Sequence, residues 1–133
     1  MSLSNDERTA LVAYRVKKAH TTMEHVYGNM KLGYWSVVAN RLYYAAFYAV
    51  TGLLLHDGLS VQTHHGVIHL FNLHYIKTGK LDLKYAKLFG RLFTLRQTGD
   101  YDDTYDVTEE DICPLVAPTE ELVNTISEML DCI

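Results

Sequence analysis

Residues 34–56 read YWSVVANRLYYAAFYAVTGLLLH, and apolar or aromatic side chains occupy most positions of about six helical turns. A helix that is apolar around most of its circumference is buried inside a domain. At 100° per residue, its polar residues share one narrow arc, the polar seam, with Arg41 and Tyr48 at its edge. The members of the polar seam are Ser36, Asn40, Tyr44 and Thr51. Because an unpaired buried polar group costs about 1–3 kcal/mol, this seam must face a polar helix, a second copy of the chain or a ligand.

Length, charge and cysteine content restrict the class of protein. The chain has 133 residues, which suits one domain (1–133) whose core needs neither a metal nor a disulfide. Cys113 and Cys132 form no CxxC motif, and no apolar run is long enough for a membrane span or a secretion signal. The net charge of −4 disfavours strong non-specific binding to nucleic acid. We therefore expect a cytoplasmic protein with no membrane segment and no cofactor.

Capping signals divide the remainder of the chain into further helices. A capping box at Ser4 and Glu7 predicts a first helix that ends between residues 28 and 33. Later helices are expected to begin at Thr63, near Asp82 and at Thr108. The glycines expected to end helices are Gly58, Gly79 and Gly99.

The last helix contains Pro114 and Pro118, each of which removes a helical hydrogen bond, so we expect a kink or a short first segment there. The chain has no sustained alternation of β-branched and polar residues. The predicted fold class is therefore all-α, an antiparallel up-and-down bundle of four to five helices around residues 34–56.

Arg96 is a cation at a position where the pattern of the fourth helix predicts core. Tyr85, Leu88 and Leu92 lead to it along one stripe. A guanidinium stays charged in proteins, so it needs a carboxylate, a ligand anion or access to solvent. Asp100 lies one turn further on. Two interpretations remain open, a structural ion pair near a helix C-terminus and an anion contact beside the polar seam.

We expect a polar cluster where the helix carrying Arg96 meets the central helix, because both helices face inward there. His64 lies on the core side of the third helix and would join this cluster. The predicted members are Asn40, Arg41, Tyr44, His64, Arg96, Asp100 and Tyr101. The alternative interpretation is a satisfied hydrogen-bond network that only fixes the register of the helices.

The histidines and the acidic stretch do not match a metal site. His65 and His69 share a helical face, but no HExxH motif or third ligand accompanies them. In the acidic stretch 100–111, Tyr105 and Asp111 replace the Gly and Glu that a calcium-binding loop requires. We therefore predict no metal ligand in this chain.

Three stretches, in this order, resemble a known family. They read NRLYYAAFYAVTGLL from residue 40, THHGVIHLFNLHYIKTGKL from residue 63 and LFTLRQTGDYDD from residue 92. They resemble the HEPN domain, the higher eukaryote and prokaryote nucleotide-binding family, over residues 10–129. The resemblance implies a bundle that pairs as a homodimer and is often encoded beside a minimal nucleotidyltransferase in prokaryotic defence or toxin–antitoxin systems.

Many HEPN proteins are metal-independent ribonucleases, and the resemblance places their R-x(4 to 6)-H motif at about Arg96. In that motif Arg contacts phosphate and His does acid/base work. Here all seven histidines precede Arg96, and the stretch has the form RxxxDY, ending in Asp100 and Tyr101. Arg15 and His20 match the spacing but lie inside the first helix. A tyrosine with a pKa of about 10 is a poor base at neutral pH, which puts catalysis in doubt.

The resulting prediction is a nucleotide- or partner-binding module that acts with a nucleotidyltransferase in a toxin–antitoxin or defence system, without an assigned catalytic residue. Two alternatives stay open. One is a metal-independent endoribonuclease with a degenerate site that acts on RNA, and the other is a purely structural dimerisation domain. The excess of buried-type aromatic surface predicts a homodimer that pairs close to the polar seam.

Overall fold

The computed structural model describes residues 3–101 and 106–131, and Tyr101 by its backbone alone. Within these ranges the regular structure is helical, without a strand, which confirms the all-α class. The helices are α1 (Asn5–Leu32), α2 (Trp35–His56), α3 (His64–Phe71), α4 (Leu83–Tyr101) and α5 (Glu109–Met129). A π-helical turn, Asn72–Ile76, extends α3. No helix in the described ranges combines the length and the apolar character needed to cross a membrane.

The predicted capping signals are confirmed at three helix starts. At α1, the Ser4 hydroxyl accepts from the Glu7 amide while the Glu7 carboxylate accepts from the Ser4 amide. Thr63 accepts from the Gly66 amide at α3. Thr108 begins α5 with a second capping box. These side-chain oxygens satisfy amides that have no partner inside the helix.

One predicted helix boundary is wrong, and one of the two alternatives expected for the last helix is not formed. We expected α4 to end at Gly99, but it continues to Tyr101. A Cβ at Gly99 would lie 3.3 Å from Val107 Cγ2 and 3.7 Å from Ser36 Cβ, so this glycine serves the close approach of neighbouring segments. For the last helix we expected a kink or a short first segment at Pro114 and Pro118. The short segment is not formed, because α5 runs unbroken from Glu109 to Met129, and the kink stays a prediction.

The core surrounds α2, which packs against α1, α3, α4 and α5. Its buried face includes a row of small residues that lets neighbouring helices approach closely. The buried residues of α2 are Val38, Ala39, Leu42, Tyr43, Ala45, Ala46, Ala49, Val50, Thr51, Gly52, Leu53 and Leu54. Cys113 is half-buried in α5, whereas Cys132 lies outside the described residues. The central position expected for residues 34–56 is therefore confirmed.

Candidate functional site

Arg96 lies on the inner face of α4 with only 8% of its surface exposed. Its guanidinium carbon is 5.2 Å from the centre of the Tyr43 ring and 5.8 Å from the centres of the Tyr44 and Phe93 rings. Its Nη1 atom lies 3.6 Å from Asp100 Oδ2, one helical turn away. Aromatic faces attract a cation through their quadrupole, and a nearby carboxylate offsets part of the cost of burying the charge. The cation is thus held at the surface of the core.

Asn40 connects this arginine to a second one. Its Nδ2 donates to Asp100 Oδ2 at 3.3 Å. Its Oδ1 accepts two hydrogen bonds from Arg41, from Nε at 3.0 Å and from Nη2 at 2.8 Å. The guanidinium carbon of Arg41 also lies 5.3 Å from the centre of the Tyr44 ring. The side chains of α2 and α4 therefore form one chain of contacts, in which Tyr44 lies against both guanidinium groups.

His64 enters the cluster through Tyr43. The Tyr43 hydroxyl lies 2.7 Å from His64 Nδ1. Burial raises the pKa of Tyr43 well above its usual value of about 10, although the charge of Arg96 opposes the shift, so the phenol keeps its proton and donates. Burial, and then the charge of Arg96, lower the pKa of His64 below its ordinary value. A neutral His64 that accepts at Nδ1 carries its proton on Nε2.

The structure brings six of the seven predicted residues together. We call this set the Arg96 cluster: Asn40, Arg41, Tyr44, His64, Arg96 and Asp100. The side chain of Tyr101 lies outside the described residues. Tyr43 was missed by the sequence reasoning, although it joins His64 to Arg96. A signal existed, because at 100° per residue Tyr43 falls only about 20° from Ser36 on α2.

Other residues singled out in the sequence lie apart from this cluster. Ser36 packs against Gly99, and the Thr51 hydroxyl donates to the Tyr48 carbonyl within its own helix. His20 Nε2 lies 3.3 Å from Ser127 Oγ, whereas Arg15 lies beside Gly52. The motif-like spacing of Arg15 and His20 therefore does not bring the two side chains to one site. Among residues 3–101 and 106–131, no three potential ligands gather closely enough to hold a metal ion.

The comparison with known families identifies the class of protein. The model of the family described as HEPN domain matches residues 12–129, and the chain belongs to this family. The resemblance noted in the sequence is thereby confirmed.

Similar proteins occur in Thermotoga maritima and Methanocaldococcus jannaschii. A Thermotoga maritima protein named "UPF0332 protein" is 31% identical over 126 residues, which are 95% of this chain and 96% of that protein. Methanocaldococcus jannaschii has two similar proteins. "Putative toxin MJ0142" is 30% identical over 72% of this chain and 65% of its own length. "Putative toxin MJ0605" is 32% identical over 68% of this chain and 66% of its own length.

Proposed function

We propose that the chain is a nucleotide-binding HEPN module in which the Arg96 cluster contacts a phosphate. One observation carries this proposal: two guanidinium groups, of Arg41 and Arg96, lie against one half-buried aromatic ring, Tyr44. The one carboxylate among the described members of the cluster, Asp100, lies 3.6 Å from Arg96, whereas Arg41 donates to Asn40. With His64 neutral, the described members of the cluster therefore carry a net positive charge. Arginine pairs well with phosphate oxygens, and a tyrosine ring offers a face on which a base can stack.

A partner protein follows from the same proposal. Two of the similar proteins carry the word toxin in their names, which supports a role in a toxin–antitoxin or defence system. The partner that we propose is a small nucleotidyltransferase, which would share a nucleotide with this module. The first check is whether the neighbouring open reading frame encodes such an enzyme, and the second is whether the two proteins co-purify.

The proposed homodimer would pair along an exposed stripe that begins at Tyr34, just before α2, and continues along α2. Tyr34 and Val37 are 56% and 43% exposed, and the half-buried residues Arg41, Tyr44 and Tyr48 continue the same face at spacings of four, three and four. Sedimentation velocity at micromolar concentration should show a dimer, and a charge placed by Val37→Glu should dissociate it. Leu83→Glu is the matched control, since Leu83 is 57% exposed at the start of α4. A monomeric wild type would refute the pairing.

A second candidate function is metal-independent cleavage of RNA. It is favoured by one observation, the contact between His64 and Tyr43 beside Arg96, which places an imidazole near the arginine although no histidine follows Arg96 in the sequence. An imidazole with a defined tautomer is suited to acid/base chemistry. RNA cleavage in EDTA that is lost in both Arg96→Ala and His64→Ala would reverse the order of the two candidates.

The binding proposal is tested by the thermal stability of the purified protein with mononucleotides in EDTA. A nucleotide at a hundred times its dissociation constant should stabilise the wild type by about 2.7 kcal/mol. Arg96→Gln and Arg41→Gln should each abolish the effect, whereas Arg91→Gln, on the exposed face of α4, should retain it. If no nucleotide stabilises the wild type and no RNA is cleaved, the cluster is structural and the proposal fails.

A further inference from the structure

A cavity of about 320 Å³ lies away from the Arg96 cluster, between α1, the C-terminal half of α2 and the segment 59–62. None of the cluster residues lines it. We call it the Arg15 cavity; its lining is Arg15, Phe47, Thr51, Leu54, Leu55, Leu59, Ser60, Val61, Gln62 and Val67. Phe47 lies between this cavity and the Arg96 cluster: it lines the cavity, and its ring centre lies 4.8 Å from that of His64. The volume is at the lower end of the range for small-molecule sites.

The lining combines an apolar body with a few polar groups. Six of its side chains are aliphatic or aromatic, and the polar ones are one guanidinium, two hydroxyls and one amide. No carboxylate is among the lining residues. Apolar side chains beside polar groups that can orient a ligand are found in sites for small organic molecules.

Arg15 brings a charge that the described part of the chain does not balance. Its Nε is buried and has no hydrogen-bond partner within residues 3–101 and 106–131, and no carboxylate of those ranges lies within 4.0 Å of its guanidinium. Leaving a buried donor unsatisfied is unfavourable, and more so when the group is charged. Arg15 lines the cavity, so a ligand anion there would balance the guanidinium charge, although Nε itself has almost no accessible surface and lies out of a ligand's reach.

Arg8 also has a buried Nε without a hydrogen-bond partner among residues 3–101 and 106–131, but it lies at a different place along α2. Arg8 lies one heptad earlier, and its Nη1 would be 3.9 Å from a Cβ at Gly58, just beyond the end of α2. There the negative end of the helix dipole stabilises a cation. A Cβ at Gly52 would instead lie 3.5 Å from Arg15 Cβ, and Gly52 is a full turn before His56, the last residue of α2. The Cβ of Arg15 therefore lies about one turn before the end of α2, and Arg15, unlike Arg8, lines the cavity.

The wall formed by residues 59–62 is held at both ends. The Leu59 amide donates to the Leu54 carbonyl at 2.8 Å, and Thr63 caps α3. Val61 lies so close to Gly66 that any side chain at Gly66 would collide with it. A cavity with a fixed wall loses little entropy when it is filled.

We propose that the Arg15 cavity binds a small organic oxyanion with an apolar body, either a carboxylate or a phosphate monoester. The oxyanion would pair with the Arg15 guanidinium in the fork geometry that carboxylates and phosphates share. The body would fill the space between Phe47, Leu54 and Val67. This site is independent of the proposed nucleotide site, because it uses none of the residues of the Arg96 cluster.

The test is a titration of the full chain, followed by the methyl NMR signals of Leu59, Val61 and Val67. The probes are benzoate, phenyl phosphate, the neutral isostere benzamide and inorganic phosphate. Benzoate or phenyl phosphate should shift these signals at about 1 mM or below, the weak end of the affinity scale. Benzamide and inorganic phosphate should bind at least tenfold more weakly, and the stronger of the two anions identifies the preferred head group.

Variants separate this site from the nucleotide site. Arg15→Gln should weaken the preferred anion at least tenfold, whereas Lys17→Gln, on the exposed face of α1, and Arg96→Gln should leave its affinity unchanged. Equal binding of benzamide and benzoate to the wild type would overturn the proposal, whatever the variants do. So would binding of inorganic phosphate alone, an unchanged affinity in Arg15→Gln, or no shift of the three methyl signals with any probe.

Discussion

Replacing Tyr43 with Phe should destabilise the fold by about 1 kcal/mol. The change keeps the buried ring beside Arg96 and removes only the hydroxyl that lies 2.7 Å from His64 Nδ1. A neutral hydrogen bond contributes about 0.5–1.5 kcal/mol, and His64 is only half-buried, so water can satisfy its ring nitrogen afterwards. For a chain of 133 residues, an unfolding entropy of about 2.1 cal/mol/K per residue converts this loss into a decrease in Tm of about 3–4 °C.

The control for this prediction is Tyr44→Phe on the same helix. Among the described residues, the Tyr44 hydroxyl has no hydrogen bond with another side chain or with the backbone, so its removal should change the stability by less than about 0.5 kcal/mol. Urea denaturation measures both variants, and ¹⁵N NMR of the imidazole reports the tautomer of His64. Equal stabilities of the two variants, or a wild-type His64 with its proton on Nδ1, would refute the proposed role of Tyr43.

Three further predictions concern stability. The pKa of His64 in the folded chain lies below its unfolded value of about 6.5, so the unfolded chain binds more protons at a pH between the two values. Stability should therefore fall as the pH decreases below about 6.5. His64→Gln should make this fall less steep in urea denaturations over a series of pH values. Gly28→Ala and Gly90→Ala should each stabilise the protein by about 0.5–1 kcal/mol in thermal denaturation, since both lie inside helices and an added Cβ meets no atom within 4 Å. Burial raises the pKa of Asp57, but the hydrogen bonds from Tyr75 and His56 outweigh this effect and hold the pKa below its usual value. Protonation of Asp57 therefore costs stability in acid, and Asp57→Asn should lose less stability than the wild type as the pH falls.

The parts of the fold that were predicted from the sequence depend on neighbours in the chain. The capping box at Ser4 and the cap at Thr108 involve residues only three positions apart, so these helix starts are visible without a structure. The burial of α2 follows likewise from its own composition. Gly99 was misread because its role depends on Val107 and on another helix, and no local pattern contains that information.

The candidate site, like the fold, was predicted from the sequence only in part. Arg96 was found because a cation interrupts an apolar stripe, and Asp100 because it follows one helical turn later. The contact between Tyr43 and His64 links residues 21 positions apart and needs the packing of α3 against α2. The Arg15 cavity was not predicted, since its shape depends on the path of residues 59–62, which form no regular element.

The most direct test of phosphate binding by the Arg96 cluster follows the Nε–H signals of the arginines by ¹⁵N NMR during a titration with AMP in EDTA. The cluster predicts that the signals of Arg96 and Arg41 shift together and give one dissociation constant, because both guanidinium groups lie against Tyr44. Arg91, on the exposed face of α4, provides the internal control and should not shift. Signals of Arg96 and Arg41 that stay unchanged, or that move no more than that of Arg91, would contradict a phosphate site at this cluster.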